Sequence, residues 1–349
     1  MSVLLTQGKY TSRAEKNERS VLADVIPIDT PYVFGFFLGD ICNFRCKYCV
    51  QSVLQGAEGT AHEHKGVEDL VRHFMSWETF LRTAEQLRGF PRQIKKILFS
   101  SIGEPLLHPR LPQMIAWLKE RDVADDYEVV TNASLLTPDL SKALIDAGLT
   151  RLCVSVQGMT AEKYKSVCDY KVDMSVFISN LKSFYDYSRG KCRLHIKTVD
   201  IALDKGEDEA FLSTFGDICD SIHIDNVIPL YRDVDYDFLS GEEKGLYKEQ
   251  SKPIAVCSPL FYTLYVNADG DVIPCCIVPY ALSYGNVHQT DLVSIWNGAK
   301  RRAFLELHLK KKRRVHPICR DCVHPNAAIL SSDVIDDAAE EILGRMREK

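Results

Sequence analysis

The segment "PYVFGFFLGDICNFRCKYC", residues 31–49, sets a near-continuous apolar run directly before a loop that holds Cys42, Cys46 and Cys49. Such a run predicts a strand over residues 32–38 that is covered on both faces. The three thiols then follow its carboxyl end, where sheets of the α/β class place their sites. Thiolates are soft ligands, suited to zinc or to iron–sulfur clusters. A structural zinc site closes its shell with four protein ligands, and three cysteines leave a corner open. In a cubane 4Fe–4S cluster three thiolates hold three irons, and the fourth iron is free to take a small chelating molecule. An open position of this kind marks a catalytic metal.

Outward from this loop, short apolar strands alternate with helical segments. Further strands are predicted over 94–100, 127–131, 151–156, 193–199 and 221–227. Helices fall between them. "SWETFLRTAEQL" opens on the capping Ser76, and "TPDLSKALIDAG" has Thr137 as cap, Pro138 in the first turn and Gly148 as stop. "LPQMIAWLKER" and "MSVFISNLKSFYDY" carry apolar residues at helical spacing, read as core. Six strand–helix units predict a parallel sheet with right-handed crossovers, closed into a partial (β/α)6 barrel.

After Pro229 the rhythm changes. "YRDVDYDFLSGEEKG" is acidic and linker-like, and "FYTLYVNADGDVIPCC" predicts a β-hairpin around Asn-Ala-Asp-Gly. "DLVSIWNGAKRRAFLELHL" is expected to be largely helical. In the tail, Val334, Ile335, Ala338, Ile342 and Met346 are spaced along one helical face. The expected division is 1–30 as an N-terminal extension, 31–230 as the barrel, 231–256 as linker, 257–325 as a small α+β domain with the hairpin, and 326–349 as a C-terminal helix.

The 349 residues carry a net charge of −5, which gives no general attraction to nucleic acid. The basic run "LKKKRR", residues 309–314, is expected to be a solvated helix end. The N-terminus turns polar too early for a signal-peptide core, and no apolar run reaches membrane-spanning length, so a cytoplasmic location is expected. Twelve cysteines in a reducing compartment point to metal chemistry before disulfides.

With Tyr48 before its last cysteine, the loop reads C-x-x-x-C-x-x-C with an aromatic residue, and it resembles the signature of the radical S-adenosylmethionine enzymes. The resemblance covers residues 31–230. It implies that the open iron takes the amino and carboxylate groups of S-adenosylmethionine, and that reductive cleavage yields a 5′-deoxyadenosyl radical. "SSIGEP" resembles the family's Gly-Gly-Glu segment through Gly103 and Glu104, with Ile102 in place of the first glycine. Glu104 is then implied to bond the cofactor's amino group, a charge-assisted contact. "VVTNAS" resembles a Thr-Asn-Gly stretch, with Asn132 matching and Ala133 departing from the glycine. Ser155 and Gln157 of "CVSVQG" resemble the ribose and carboxylate contacts, and Lys197 is expected near the cofactor's carboxylate. The alternative for each of these polar strand ends is a helix cap or a backbone partner.

A second thiol set, Cys257, Cys275, Cys319 and Cys322, makes a full shell for zinc or for an iron–sulfur cluster. The pattern C…G-x-x-x-x-C…GNV…IWNG…C-x-x-C resembles the auxiliary-cluster extension called SPASM, or its shorter form, twitch. The resemblance implies one auxiliary 4Fe–4S cluster, since complete SPASM domains use seven cysteines. Cys276 is either a buried thiol turned away from Cys275 or a hydrogen-atom donor to substrate, and Cys168 is a second donor candidate. His62 and His64 are given no role.

The implied activity is hydrogen abstraction from a small polar substrate of carbohydrate or aminocyclitol type, ending in oxidation or epimerisation. A flavodoxin- or ferredoxin-type electron donor is the implied partner. A peptide-modifying maturase is the competing enzyme class. A non-catalytic zinc or iron–sulfur protein touching nucleic acid is the alternative outside catalysis.

Overall fold

The computed structural model describes residues 8–12, 20–54, 73–100, 102–231, 234–239, 245–248, 251–275 and 282–348. Among these residues one sheet contains β1 (Lys9–Tyr10), β2 (Val33–Phe36), β3 (Ile94–Phe99), β4 (Ala124–Thr131), β5 (Arg151–Ser155), β6 (Arg193–Val199), β7 (Ser221–Asp225), β8 (Thr263–Val266), β9 (Asp271–Ile273) and β10 (Gly285–Asn286). The order is β1-β7-β6-β5-β4-β3-β2-β8-β9-β10. From β2 to β7 each strand pairs in parallel with its successor, as strand–helix–strand crossovers demand. This is the partial barrel that the alternation predicts.

Side-chain alternation divides the sheet into two faces. Phe34, Phe36, Ile97, Phe99, Val129, Leu152, Val154, Leu194, Ile196, Ile222 and Ile224 pack with Phe80, Met114, Leu118, Leu144, Leu181 and Phe211 of the surrounding helices. The opposite, inner face changes character around the barrel. On β2, β3, β8 and β9 it is apolar, with Val33, Leu98, Tyr265 and Ile273 joined by Phe37 and Val130. On β4 to β7 it is ionic. Glu128 is registered against Arg151, Cys153 against His195, and Lys197 against Ser155 and His223. The ionic part begins with Lys96 at the near end of β3, which pairs with the fully buried Glu128, and Arg193 pairs with Asp126 at 3.1 Å.

That ionic lining explains why β4 begins at Ala124, earlier than its apolar pattern suggests. Asp126 has a cationic partner across the face, so an acidic residue lies within a strand that hydrophobicity alone starts at Tyr127. The helices start where their caps say. Ser76 accepts from Thr79 N–H, Thr137 from Leu140 N–H, and Asp173 from Ser175 and Val176 N–H.

The C-terminal third continues the sheet. β8 pairs in parallel with β2, and β9 turns back on β8 through the predicted hairpin. Asn267 accepts from Asp269 and Asp271 N–H, while Gly270 takes φ +84°, a left-handed geometry that favours glycine. Asn286, of the GNV stretch, donates to Asp269 O and the Asp271 carboxylate, clamping the same turn. The segment expected to be helical is two helices, Leu292–Trp296 and Ala299–Leu309, divided at Gly298.

Two expectations are corrected, on the tail and on the basic run. The tail is helical only over Ala339–Glu348, and Val334 is 39% exposed, outside the buried face of Ile335, Ala339, Ile342 and Met346. The physical reason is Asp336, whose carboxylate accepts Ala255 and Val256 N–H and holds the approach in an irregular brace. The basic run is not wholly a solvated helix end. Arg313 is buried and donates to the carbonyls of Ile254, Cys319 and Cys322. Lys9 and Tyr10, in the expected N-terminal extension, form a strand on β7. Among the described residues no helix is long and apolar enough to cross a membrane.

Candidate functional site

The loop after β2 is strapped to its neighbours by backbone and amide contacts. Glu104 N–H donates to Ile41 O at 2.9 Å, and the Gln51 amide donates to both Asp40 O and Ile102 O. Gly103 lies so close to this loop that a Cβ there would stand 2.2 Å from Gly39 O. Glycine is required by the approach of the two loops, whatever contact it makes with a ligand. The back of the loop rests on the end of the helix Ala161–Cys168, where Arg45 and Lys47 N–H donate to Cys168 O and Val167 O. Tyr48 gives its hydroxyl to Gln157 Oε1 at 2.7 Å, and Tyr236 caps the Tyr48 carbonyl.

Cys42, Cys46 and Cys49 are half-buried in this loop. Burial pushes the Cys42 thiol up, and the negative charges of Glu104, Cys46 and Cys49 push further. Cys49 is pushed up to about 12 by burial and then by Cys46. Cys46 is raised first by contact with the Cys168 thiol and then by burial. Three thiols that resist ionising together fit a cationic iron cluster, because metal binding displaces their protons. Cys168 itself is fully buried and donates to Tyr164 O. The structure therefore sets it behind the loop, against a cluster-loop cysteine. Cys276 lies outside the described residues, as do His62 and His64.

Glu104 is buried beneath the loop. Its Oε1 accepts from Leu106 N–H and Thr131 Oγ1–H, and its Oε2 from Asn132 N–H at 2.8 Å. Burial pushes its carboxyl up to about 7 despite these donors. Three bonds to a group with about four acceptor positions leave room for one more donor. Asn132 is oriented by Asn43 Oδ1, which its amide meets at 2.9 Å, and by Ser134, whose N–H and hydroxyl both reach Asn132 Oδ1. Ala133 has φ +57°, so the residue standing where the family's stretch has glycine does hold the left-handed geometry that favours it.

Ser155 ends β5 beside Lys197, and Gln157 stands two residues further, tied to Tyr48. Lys197 donates to Asp225 Oδ2 at 2.8 Å, and His223 Nδ1 meets Asp225 Oδ1 at 2.8 Å. Burial alone would raise the Asp225 carboxyl. The charges and hydrogen bonds of Lys197 and His223 outweigh it and hold the group well below the usual carboxylate range. Sequence inspection selected Lys197 and missed its partners. The signal was present in "SIHID", where polar residues alternate with Ile222 and Ile224.

In the C-terminal third, Cys257, Cys275, Cys319 and Cys322 line a single cavity together with His308, His316 and His324. Burial pushes Cys257 up, followed by the charges of Cys275, Cys322 and Cys319, and Cys319 rises to about 12 for the same reasons. The four thiols sense one another, yet among the described residues no three such groups gather tightly enough to hold one metal ion. Arg313 braces the "CRDC" turn by donating to Cys319 O at 2.7 Å and Cys322 O at 3.2 Å, a role the sequence pattern hid inside a basic run.

Comparison with known proteins agrees with this geometry. The Radical SAM superfamily model matches residues 36–215, and the SPASM iron–sulfur cluster-binding domain matches residues 257–323. The chain is 23% identical over 331 residues to the "tungsten-containing aldehyde ferredoxin oxidoreductase cofactor-modifying protein" of Pyrococcus furiosus, covering 80% of this chain and 84% of that protein. It is 33% identical over 129 residues to GTP 3',8-cyclase of Pelotomaculum thermopropionicum, covering 37% of this chain and 35% of the cyclase. BtrN in complex with AdoMet and 2-DOIA superposes with a TM-score of 0.53 at 17% identity, over 88% of this chain and 99% of BtrN. Native anSMEcpe with bound AdoMet gives a TM-score of 0.58 at 16% identity, over 91% and 96%. The chain belongs to the radical SAM superfamily and carries a C-terminal SPASM domain, so its cofactors are S-adenosylmethionine and 4Fe–4S clusters.

Proposed function

We propose that this enzyme abstracts hydrogen from a small polar substrate of carbohydrate or aminocyclitol type and oxidises or epimerises it. The cluster held by Cys42, Cys46 and Cys49, with S-adenosylmethionine, supplies the 5′-deoxyadenosyl radical. This chain's own side chains bind, orient and shield. In this proposal Tyr48, Gly103, Glu104, Asn132, Ser155, Gln157 and Lys197 surround the cofactor, and residues 257–325 hold an auxiliary cluster through Cys257, Cys275, Cys319 and Cys322. A flavodoxin- or ferredoxin-type protein is the proposed electron donor, in a reducing cytoplasm.

The observation that carries the proposal is the C-terminal cavity. In this reading the four cysteines that line it hold one auxiliary cluster, the twitch-type arrangement that resembles the carbohydrate and aminocyclitol dehydrogenases and epimerases of the family. The ionic inner face of β4 to β7 supports it as well. Lys197 of β6 and His223 of β7 both bond the carboxylate of Asp225, the last residue of β7, and an alcohol being oxidised needs a group to receive its proton. BtrN, aligned over nearly its whole length, is described with 2-DOIA. A peptide substrate is the second reading, favoured by anSMEcpe with its bound Cp18Cys peptide, which aligns over 90% of this chain.

The test is incubation of the reduced enzyme with deuterated sugars and aminocyclitols in one arm and with peptides in the other. Deuterium arriving in 5′-deoxyadenosine from the first set supports the proposal, and arrival from the peptide set alone replaces it with the second reading.

A further inference from the structure

Beside the cavity of four cysteines, Tyr284, His308 and His316 each bury a polar atom with no hydrogen-bond partner among the described residues, and two of these atoms, on Tyr284 and His308, are donors. Tyr284 is 7% exposed, and its backbone N–H is fixed on Val272 O at 2.7 Å, while its hydroxyl oxygen is buried with no partner among the described residues. Its ring packs on Phe304, which lines the cavity; burial pushes the phenol up, Arg301 opposes the shift, and the charges of Cys275, Cys319 and Cys257 add to it. His308 is 1% exposed and lines the cavity directly. Its Nδ1 accepts Cys257 N–H at 3.5 Å. A neutral imidazole that accepts at Nδ1 carries its proton at Nε2, and Nε2 is the buried atom without a partner.

Phe304 holds both rings, at centroid distances of 6.2 Å from Tyr284 and 4.9 Å from His308. Neither donor is a flexible surface group that turns to water. A buried N–H or O–H without an acceptor destabilises the fold, and such groups in native proteins are nearly always matched. The electron-rich acceptors expected in this cavity are cluster sulfides and cysteine thiolates. We infer that the Tyr284 hydroxyl and the His308 Nε2–H donate hydrogen bonds to sulfur atoms of the auxiliary cluster and thereby raise its reduction potential. Donors aimed at sulfur stabilise the extra negative charge of the reduced cluster more than they stabilise the oxidised one. That direction suits a cluster that accepts an electron from a substrate radical. The inference rests on the assignment of the auxiliary cluster to these four cysteines, and not on which substrate is used.

The test is a redox titration of the fully reconstituted enzyme, followed by electron paramagnetic resonance. The N-terminal cluster is told apart by its spectral change on adding S-adenosylmethionine. In Tyr284→Phe only one oxygen atom is lost and the ring packing stays. At the wild-type midpoint potential of the auxiliary cluster, the ratio of reduced to oxidised cluster should fall about tenfold, equivalent to about 59 mV for one electron. The hyperfine coupling of one exchangeable proton to the reduced auxiliary cluster should vanish as well. His308→Phe should shift the ratio in the same direction, and His308→Gln, which keeps an N–H, should restore most of it. The N-terminal cluster should keep its wild-type potential throughout. Wild-type auxiliary potential and proton couplings in both Tyr284→Phe and His308→Phe overturn the inference. An auxiliary signal that survives Cys319→Ala unchanged instead overturns the four-cysteine assignment, and the two failures are distinct. If His308→Phe fails to assemble its clusters, Tyr284→Phe alone decides.

Discussion

The two thiol sites of this molecule are built in opposite ways. The N-terminal one is a single loop whose three cysteines lie within eight residues, strapped by backbone bonds to the loop after β3 and seated on a helix end. The C-terminal one draws four cysteines from a segment before β8, a residue after β9 and a turn near residue 320, around a cavity walled by side chains. In the proposed reading a loop site of this kind presents one side to the barrel's inner face, where cofactor and substrate would meet it. A site closed by four thiols offers the cluster only its protein, and so suits storage or passage of an electron.

The comparison breaks most severely at Cys46. Replacing it with alanine removes one of only three thiols at the open site, so Cys46→Ala should lose the N-terminal cluster and bring 5′-deoxyadenosine formation to background. Cys319→Ala should lose the other cluster, keep cofactor cleavage in the presence of dithionite, and form no product. Measuring iron content, 5′-deoxyadenosine and product in both variants separates the roles. Product formation by the second variant would leave the auxiliary cluster without the catalytic part assigned to it.

A third change sharpens the contrast between backbone and side-chain support. The closed site depends on Arg313, whose guanidinium bonds three carbonyls on two segments and the Asn326 side chain. Arg313→Met keeps much of the volume and leaves those carbonyls unmatched. A loss of about 2 kcal/mol is expected, since each unmatched buried acceptor carries a desolvation penalty of about 1–3 kcal/mol that local relaxation reduces. Denaturant unfolding of the reconstituted protein reads this directly. The auxiliary cluster should also be lost to chelators faster than the N-terminal one, and equal rates would argue that Arg313 serves the fold rather than the site.

The same contrast explains what the sequence allowed one to see. The N-terminal site is local, so spacing alone exposed Cys42, Cys46 and Cys49, and the strand–helix rhythm located the loop within a barrel. Tyr48 stood out by its place in the motif, though its bond to Gln157 joins residues more than a hundred positions apart. The partners of Lys197 were hidden because they come from the next strand, and only the pairing of β6 with β7 brings Asp225 across. Arg313 looked like surface charge because its neighbours in sequence are exposed lysines and arginines. Tyr284 and His308 gave no signal, since their importance is a missing partner, which exists only once the surrounding groups have been placed. The tail helix was overextended for a related reason. Helical spacing continued back to Val334, but Asp336 had a use elsewhere, on the backbone of Ala255 and Val256.

The smallest expected effect concerns Glu104, the proposed partner of the cofactor's amino group. Its carboxyl, pushed by burial up to about 7, is largely neutral in the free enzyme below that pH. An iron-bound amino group, its N–H bonds polarised by the metal, donates more strongly to the ionised carboxylate than to the neutral carboxyl. S-adenosylmethionine binding should therefore tighten as pH rises toward about 7 and level off above it, with a proton released on binding at lower pH. At one unit below that value the affinity should be about tenfold weaker than the plateau, since only about a tenth of the carboxyl is then ionised. Glu104→Gln preserves the shape and one acceptor oxygen but removes the titration, so its affinity should be lower and independent of pH over this range. Equilibrium binding to the oxidised, reconstituted enzyme avoids turnover. A wild-type profile flat across pH 6 to 8, or an unchanged slope in Glu104→Gln, would move the charge requirement to another group. Glu104 would then act through Leu106, Thr131 and Asn132 alone, holding the loops after β3 and β4 in place beneath the three cysteines.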